Sequence, residues 1–250
     1  MTRDDSLSPE RVEPLLTGRF GRPYVYEKSC GTTQELLDAD TPEGAVALCD
    51  EQTKGRGRLG RSWTAPPGTA ILFSLVLRPP ADRIVSELSL VAGTAVAEAI
   101  EGAVGLAVQV KWPNDVMLNR RKVAGILAEA SEGVVVVGIG LNVNQERGDL
   151  PEDTNVPAGS LYTIDGVRRE RGPLLAAILH RLEVNYDAWL ERGLDGVYDS
   201  LGSRDFLRGR RIAVNGETGV GVKIDRGGRF LVEVGGEERA VESGEIAFER

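Results

Sequence analysis

Between Val108 and Asn142 four apolar, β-rich segments follow one another closely: Val108–Trp112, Val116–Leu118, Val123–Ala130 and Val134–Asn142. That succession restricts the fold more than any other feature of the chain, because strands joined by so few residues read as a meander. Around it strands and helices intermix. Residues 23–26 read as a strand, 33–37 as the start of a helix, Gly44–Asp50 as a buried strand and Ala70–Arg78 as another. Ser86–Ile100 and Pro173–Arg192 have helical apolar spacing, with a shorter helix expected over Asp195–Leu201. A short helical pattern at Pro9–Leu16 opens with Pro9 behind a Ser8 cap. The fold class expected is α+β: a mixed β-sheet with helices.

The last 42 residues change character. Short alternating strands are punctuated by turn pairs such as Asn215-Gly216 and Gly235-Gly236, about five strands in some 40 residues, which reads as a small β-barrel. The boundary falls near Gly209, dividing the chain into residues 1–208 and 209–250.

Composition removes several kinds of chemistry. Only one histidine occurs among 250 residues, so a multi-histidine metal site is impossible. His180 lies in LLAAILHRLEVNYDAWL, where it reads as a helix residue rather than a catalytic base. Cys30 and Cys49 are too few for a structural zinc site or a disulfide framework. With no signal peptide they suggest a reducing cytoplasm. No apolar run reaches the roughly 18 residues of a membrane span. A net charge of −8 argues against whole-surface nucleic-acid binding. Five of the 30 basic residues are lysines, and Lys54, Lys111 and Lys122 fall within the motifs that follow.

The first motif, residues 52–63, is QTKGRGRLGRSW. Its three glycines let backbone amides approach an anion, and cationic side chains accompany them. The spacing is not that of a Walker A loop; from Gly55 it is G-x-G-x-x-G, but no strand–turn–helix context with an acid follows to make it a dinucleotide fingerprint. Trp63 suits stacking on an adenine or covering an apolar ligand; a solvated basic loop or an RNA contact is the plainer reading. The second motif is KWPND at 111–115 followed by RKVAGIL at 121–127. Asn114 and Asp115 at a strand end suit a ribose, an amine or help in placing Mg²⁺. If the segments pair as a hairpin, Lys122 returns beside Asp115; otherwise Asn-Asp is a plain turn. The third, GIGLNVN at 138–144, has alternating glycines that mark either close approach of a ligand or a bulge, with Asn142 as a candidate to face the ligand.

Taken in order, GRGRLGRSW, KWPNDV, RKVAGIL and GIGLNVN, preceded by Gly31-Thr32-Thr33-Gln34, resemble the biotin–protein ligase (biotin–acetyl-CoA-carboxylase ligase) family over roughly residues 24–248. The resemblance implies a class II synthetase-like catalytic fold with a C-terminal SH3-like barrel. It implies ATP and Mg²⁺ as cofactors, biotin as substrate and a biotin carboxyl carrier protein as acceptor. Thr32, Thr33, Gln52, Arg56, Gly57, Arg58, Lys122, Gly125 and Leu127 would line the biotin site. Arg56, Arg58, Arg61, Trp63, Asn114, Lys122 and Asn142 would line the nucleotide site. Lys122, Arg58 and Asp115 carry the expected chemistry, with Mg²⁺ held by phosphates and Asp115 as its candidate protein ligand. Glu245, at the last turn of the barrel, is a candidate to reach the ATP site. This sequence departs from the family's Ser-Thr-Asn at Gly31-Thr32-Thr33, and Ser29 is a candidate to compensate. The motifs begin so early that the monofunctional type, without a DNA-binding domain, is expected. The family often forms homodimers through the central sheet, though no motif here forces it. Two alternatives stand beside this reading: a lipoate– or octanoyl–protein ligase of the same fold, and a non-enzymatic RNA-binding module.

Overall fold

The computed structural model describes residues 5–152, 154, 156–214, 217–244 and 246–248. After a short helix α1 (Pro9–Val12), seven strands build one sheet: β1 (Tyr24–Cys30), β2 (Val46–Gln52), β3 (Ala70–Leu77), β4 (Val108–Lys111), β5 (Asp115–Leu118), β6 (Arg121–Ser131) and β7 (Val134–Asn142). Their order is β1-β2-β3-β7-β6-β5-β4. β1 and β2 are parallel and every other pair is antiparallel, so the sheet is mixed as expected. The meander read between 108 and 142 is β4 to β7. Its first turn into β6 has Asn119 and Arg120 at φ 48° and 60°, the left-handed pair a tight hairpin demands.

β3, AILFSLVL, is buried along its whole length, which explains its continuous apolar run. Helices α2 (Leu88–Val104) and α4 (Arg171–Arg192) pack on each other and on the sheet, separated in sequence by the short α3 (Leu161–Asp165). α4 buries Leu174, Leu175, Ile178, Leu179, Leu182, Tyr186 and Trp189, a stripe at helical spacing, and leaves His180 exposed. Three local readings need correction. The helix expected from residue 33 is a single 3-10 turn, Thr33–Leu36. Ser8 makes no side-chain cap; its carbonyl oxygen accepts the N–H groups of Arg11 and Val12. α3, capped by Ser160 through the Thr163 N–H, has too short an apolar pattern to stand out in the sequence.

The last helix, α5 (Tyr198–Ser203), leads to a five-stranded antiparallel sheet: β8 (Arg211–Val214), β9 (Glu217–Ile224), β10 (Phe230–Val234), β11 (Glu237–Val241) and β12 (Ala247–Phe248), in the order β11-β10-β9-β8-β12. The expected Asn215-Gly216 turn lies outside the described residues. The two sheets share one buried core. The Trp112 and Phe230 rings stand 6.1 Å apart, and Trp112 Nε1 donates to the Gly228 carbonyl at 2.9 Å. The chain at Arg204–Phe206 bonds to the outer edge of β4 through Val110, closing an edge that would otherwise be open. Cys30 and Cys49 are free thiols. Among the described residues no helix is long and apolar enough to cross a membrane.

Candidate functional site

A cavity of about 610 Å³ lies over β3, β6 and β7, beneath the glycine-arginine loop. Its walls bring together every residue singled out from the motifs: Thr32, Thr33, Gln52, Arg56, Gly57, Arg58, Arg61, Trp63, Asn114, Asp115, Lys122, Gly125, Leu127 and Asn142. They come from four stretches of sequence, 32–33, 52–63, 114–127 and 142. The loop folds on itself through Gly57 N–H to Arg61 O at 2.7 Å and Trp63 N–H to Gly55 O at 2.9 Å. Leu59 sits at its tip, 73% exposed and in the left-handed region at φ 56°.

The floor is made by glycines. Gly125 on β6 pairs with Gly140 on β7, and Leu127 with Gly138. A Cβ on Gly140 would stand 2.5 Å from Trp63 Cε2, so only glycine lets the indole lie flat on the sheet. The Trp63 Nε1–H is buried there without a hydrogen-bond partner.

One end of the floor is charged. Lys122 Nζ is 2.5 Å from Asp115 Oδ1, the juxtaposition the hairpin reading required, and 5.7 Å from the Trp63 ring centre. Lys111, only 2% exposed, places its Nζ 4.0 Å from the other Asp115 oxygen. Arg58 donates to Asn114 Oδ1 at 3.3 Å, and Asn114 Nδ2 is held by the Ile126 carbonyl at 2.7 Å. Two lysines therefore face one carboxylate, and a third cation, Arg58, reaches the adjacent Asn114. The surplus positive charge suits an anion.

The other end is lined by uncharged groups and by Arg56, whose charge Glu129 offsets. Gln52 Oε1 accepts the Thr33 N–H at 2.8 Å and the Thr32 and Thr33 hydroxyls at 3.1 and 3.3 Å. The Thr33 and Ser74 hydroxyls are 2.7 Å apart. Arg56 forms an ion pair with Glu129 and donates to Gln34 Oε1 at 2.8 Å.

Several expectations change. Ser29 does not compensate at the Gly31 position: its hydroxyl donates to Glu51 at 3.0 Å on the exposed side of β1. Asn142 is buried with both polar atoms engaged, Nδ2 on Gly159 O at 3.0 Å and Oδ1 with Gln145 at 2.8 Å, so it fixes the wall. Asp115 is the one carboxylate among the described lining residues and is committed to Lys122, a poor candidate for a metal ligand. No group of three or more metal-ligating side chains occurs among the described residues. Glu245 lies outside them, although its neighbour Gly244 lines the cavity. Gln34, Ser74 and Lys111 were missed as lining residues. A lone serine inside the apolar run of β3 and a lysine ending the Val-Gln-Val of β4 were the available signals.

Comparison with known proteins agrees with this geometry. Residues 27–146 match the Biotin/lipoate A/B protein ligase family. The bifunctional ligase/repressor BirA of Bacillus spizizenii is 37% identical over 72% of this chain; the chain spans 58% of that relative's length. The biotin–[acetyl-CoA-carboxylase] ligase of Mycobacterium tuberculosis is 33% identical over 83% of this chain and 80% of its own. The biotin protein ligase of Aquifex aeolicus, solved in complex with biotin and ATP, superposes with a TM-score of 0.80 at 32% identity, covering 90% of this chain and 98% of that one. The chain belongs to the biotin/lipoate A/B protein ligase family, among its biotin–protein ligases.

Proposed function

We propose that the chain activates biotin with MgATP to biotinyl-5′-AMP and transfers the biotinyl group to a lysine of a biotin carboxyl carrier protein. The observation that carries this reading is the two-ended cavity: cations gathered at one end, neutral amides and hydroxyls at the other, and a glycine floor between them. Biotin has the same polarity, a carboxylate at one end and an uncharged ureido ring at the other.

A biotin carboxylate oxygen attacks the α-phosphorus, the bond from that phosphorus to the bridging oxygen of pyrophosphate breaks, and pyrophosphate leaves. The obstacle is anion on polyanion: at about 4 Å two unit charges repel by about 4 kcal/mol at an effective dielectric of about 20. Lys122 opposes this by bridging carboxylate and α-phosphate, stabilising charge where it develops. Arg58 and Arg61 hold phosphate oxygens, Trp63 and Asn114 flank the adenylate, and Thr32, Thr33, Gln52, Arg56, Gly57, Gly125 and Leu127 enclose biotin. Mg²⁺ bound to the nucleotide would neutralise phosphate charge; the one committed carboxylate among the described lining residues fits a metal held by phosphates rather than by a protein cage. Once Lys122 has turned to the anion, Asp115 is free to receive the acceptor's amine. That amine gives a proton to Asp115, its nitrogen attacks the acyl carbon, the bond from that carbon to the phosphate oxygen breaks, and AMP leaves.

The same reading assigns residues 1–208 to catalysis and 209–250 to the barrel, in a cytoplasmic enzyme. Incubation with ATP, Mg²⁺ and either biotin or lipoate tests it: pyrophosphate release with biotin alone is expected, and release with lipoate alone favours the other branch of the family. Lys122→Ala should lower the adenylation rate by about 10²–10³-fold, the usual cost of losing one preorganised donor; an unchanged rate removes Lys122 from this role.

A further inference from the structure

We propose that Gln34 donates the hydrogen bond that recognises biotin's ureido oxygen in this chain, where Gly31 offers no side chain. The inference rests on the biotin reading above and assigns a selector within it.

The orientation of the Gln34 amide is fixed. Arg56 carries only donors, so the atom it meets at 2.8 Å is the Gln34 carbonyl oxygen. Glu129 pairs with the same guanidinium nitrogen. The amide nitrogen therefore points the other way, where it is buried without a hydrogen-bond partner. Gln34 lines the cavity, and its Nε2 stands 3.6 Å from where a Cβ of Gly138 would be, directly over the floor. Buried donors are rarely left unsatisfied, because the desolvation cost is then uncompensated. A donor held in this state at the wall of a cavity is completed by a ligand acceptor.

The position within the cavity says which acceptor. Lys122 Nζ lies 3.2 Å from the corresponding point over Gly125. Gly125 pairs with Gly140, two residues along β7 from Gly138. With a rise of about 3.3 Å per residue and strands about 4.8 Å apart, the two points are about 8 Å apart. A ligand whose carboxylate meets Lys122 thus brings its far end to Gln34. In biotin that end is a urea, whose oxygen is a strong acceptor. In lipoate it is a dithiolane, whose sulfurs are weak ones, leaving the donor unpaired. A site built to bond a polar group discriminates strongly against an analogue lacking it.

The experiment exchanges donor and acceptor on both sides. The full chain, wild type, Gln34→Glu and Gln34→Ala, is assayed for ATP–pyrophosphate exchange with biotin and with its guanidinium analogue, in which a protonated nitrogen replaces the ureido oxygen. The wild type should favour biotin. Gln34→Glu should raise the KM for biotin by roughly 10-fold or more and shift the ratio of kcat/KM values toward the guanidinium analogue, while Gln34→Ala raises the KM for biotin without that shift. Because the ratio is internal to each variant, partial misfolding does not mimic it. Equal ratios in the wild type and Gln34→Glu overturn the proposal. Absence of exchange with biotin in the wild type overturns the ligase reading instead.

Discussion

A methyl group at position 140 has no room. Its carbon would stand 2.5, 2.8 and 2.8 Å from three indole atoms of Trp63, where carbon contacts settle at about 3.5–4.0 Å. Gly140→Ala should therefore lift the indole from the floor, raising the KM for biotin and altering tryptophan fluorescence, while secondary structure is kept. Gly102, near the end of α2, is the contrast, since a Cβ there meets nothing within 4 Å. Gly102→Ala should leave activity unchanged and stabilise the fold by up to about 1 kcal/mol through helix propensity. Paired kinetic and thermal-melt measurements separate the two positions; normal biotin binding in Gly140→Ala would show that the indole needs no glycine beneath it.

The basic loop illustrates which parts of an element a sequence displays. Its composition announces anion chemistry, and the β5–β6 pairing was legible because Asp115 and Lys122 are close in sequence. What crosses the cavity was not legible. Arg58 reaching Asn114, Arg56 reaching Gln34 and Glu129, and Ser74 meeting Thr33 all join residues 20 or more positions apart. Those contacts depend on β3 inserting between β2 and β7, and on β1 joining β2 in parallel, an order that no local pattern encodes. Asn142 lines the cavity, but its amide is engaged by Gln145 and Gly159, from a segment without strong periodicity. At the scale of the loop, the bond from Arg58 to Asn114 ties the glycine-rich segment to the turn between β4 and β5. Arg58→Gly removes this tie as well as a phosphate partner. The loop should then close poorly over the adenylate, letting water and free amines reach the anhydride. Mass spectrometry of bystander proteins mixed with this variant, ATP and biotin should find biotin on many lysines; label confined to the acceptor lysine overturns the prediction.

The two sheets share one core, and polar groups at their junction are satisfied across it. Asp205 is the centre of that junction. One of its oxygens accepts the Leu207 N–H and the other the Ile224 N–H, each at 3.0 Å, so a single carboxylate ties the end of the catalytic chain to β9. Tyr198 reinforces the tie by donating to the Ile224 carbonyl at 2.8 Å. Burial pushes the Asp205 carboxyl above its ordinary 3.8, a shift that outweighs the opposing effect of the two N–H donors. The folded chain thus keeps this proton to higher pH than the unfolded chain does. By linkage, the contribution is fully present below 3.8 and is lost as pH rises through the folded value. Asp205→Asn removes the titration and leaves one of the two N–H groups facing an NH₂, at a cost of about 1–3 kcal/mol. Melting curves of both proteins at intervals from about pH 3.5 to 7 isolate the group, since every other carboxyl is common to the pair. The wild type should be the more stable throughout, with its advantage largest at the acid end and shrinking as pH rises. An advantage that grows with pH would mean that the N–H donors, not burial, set the proton affinity of the junction, and that the two sheets are held together by the charge itself.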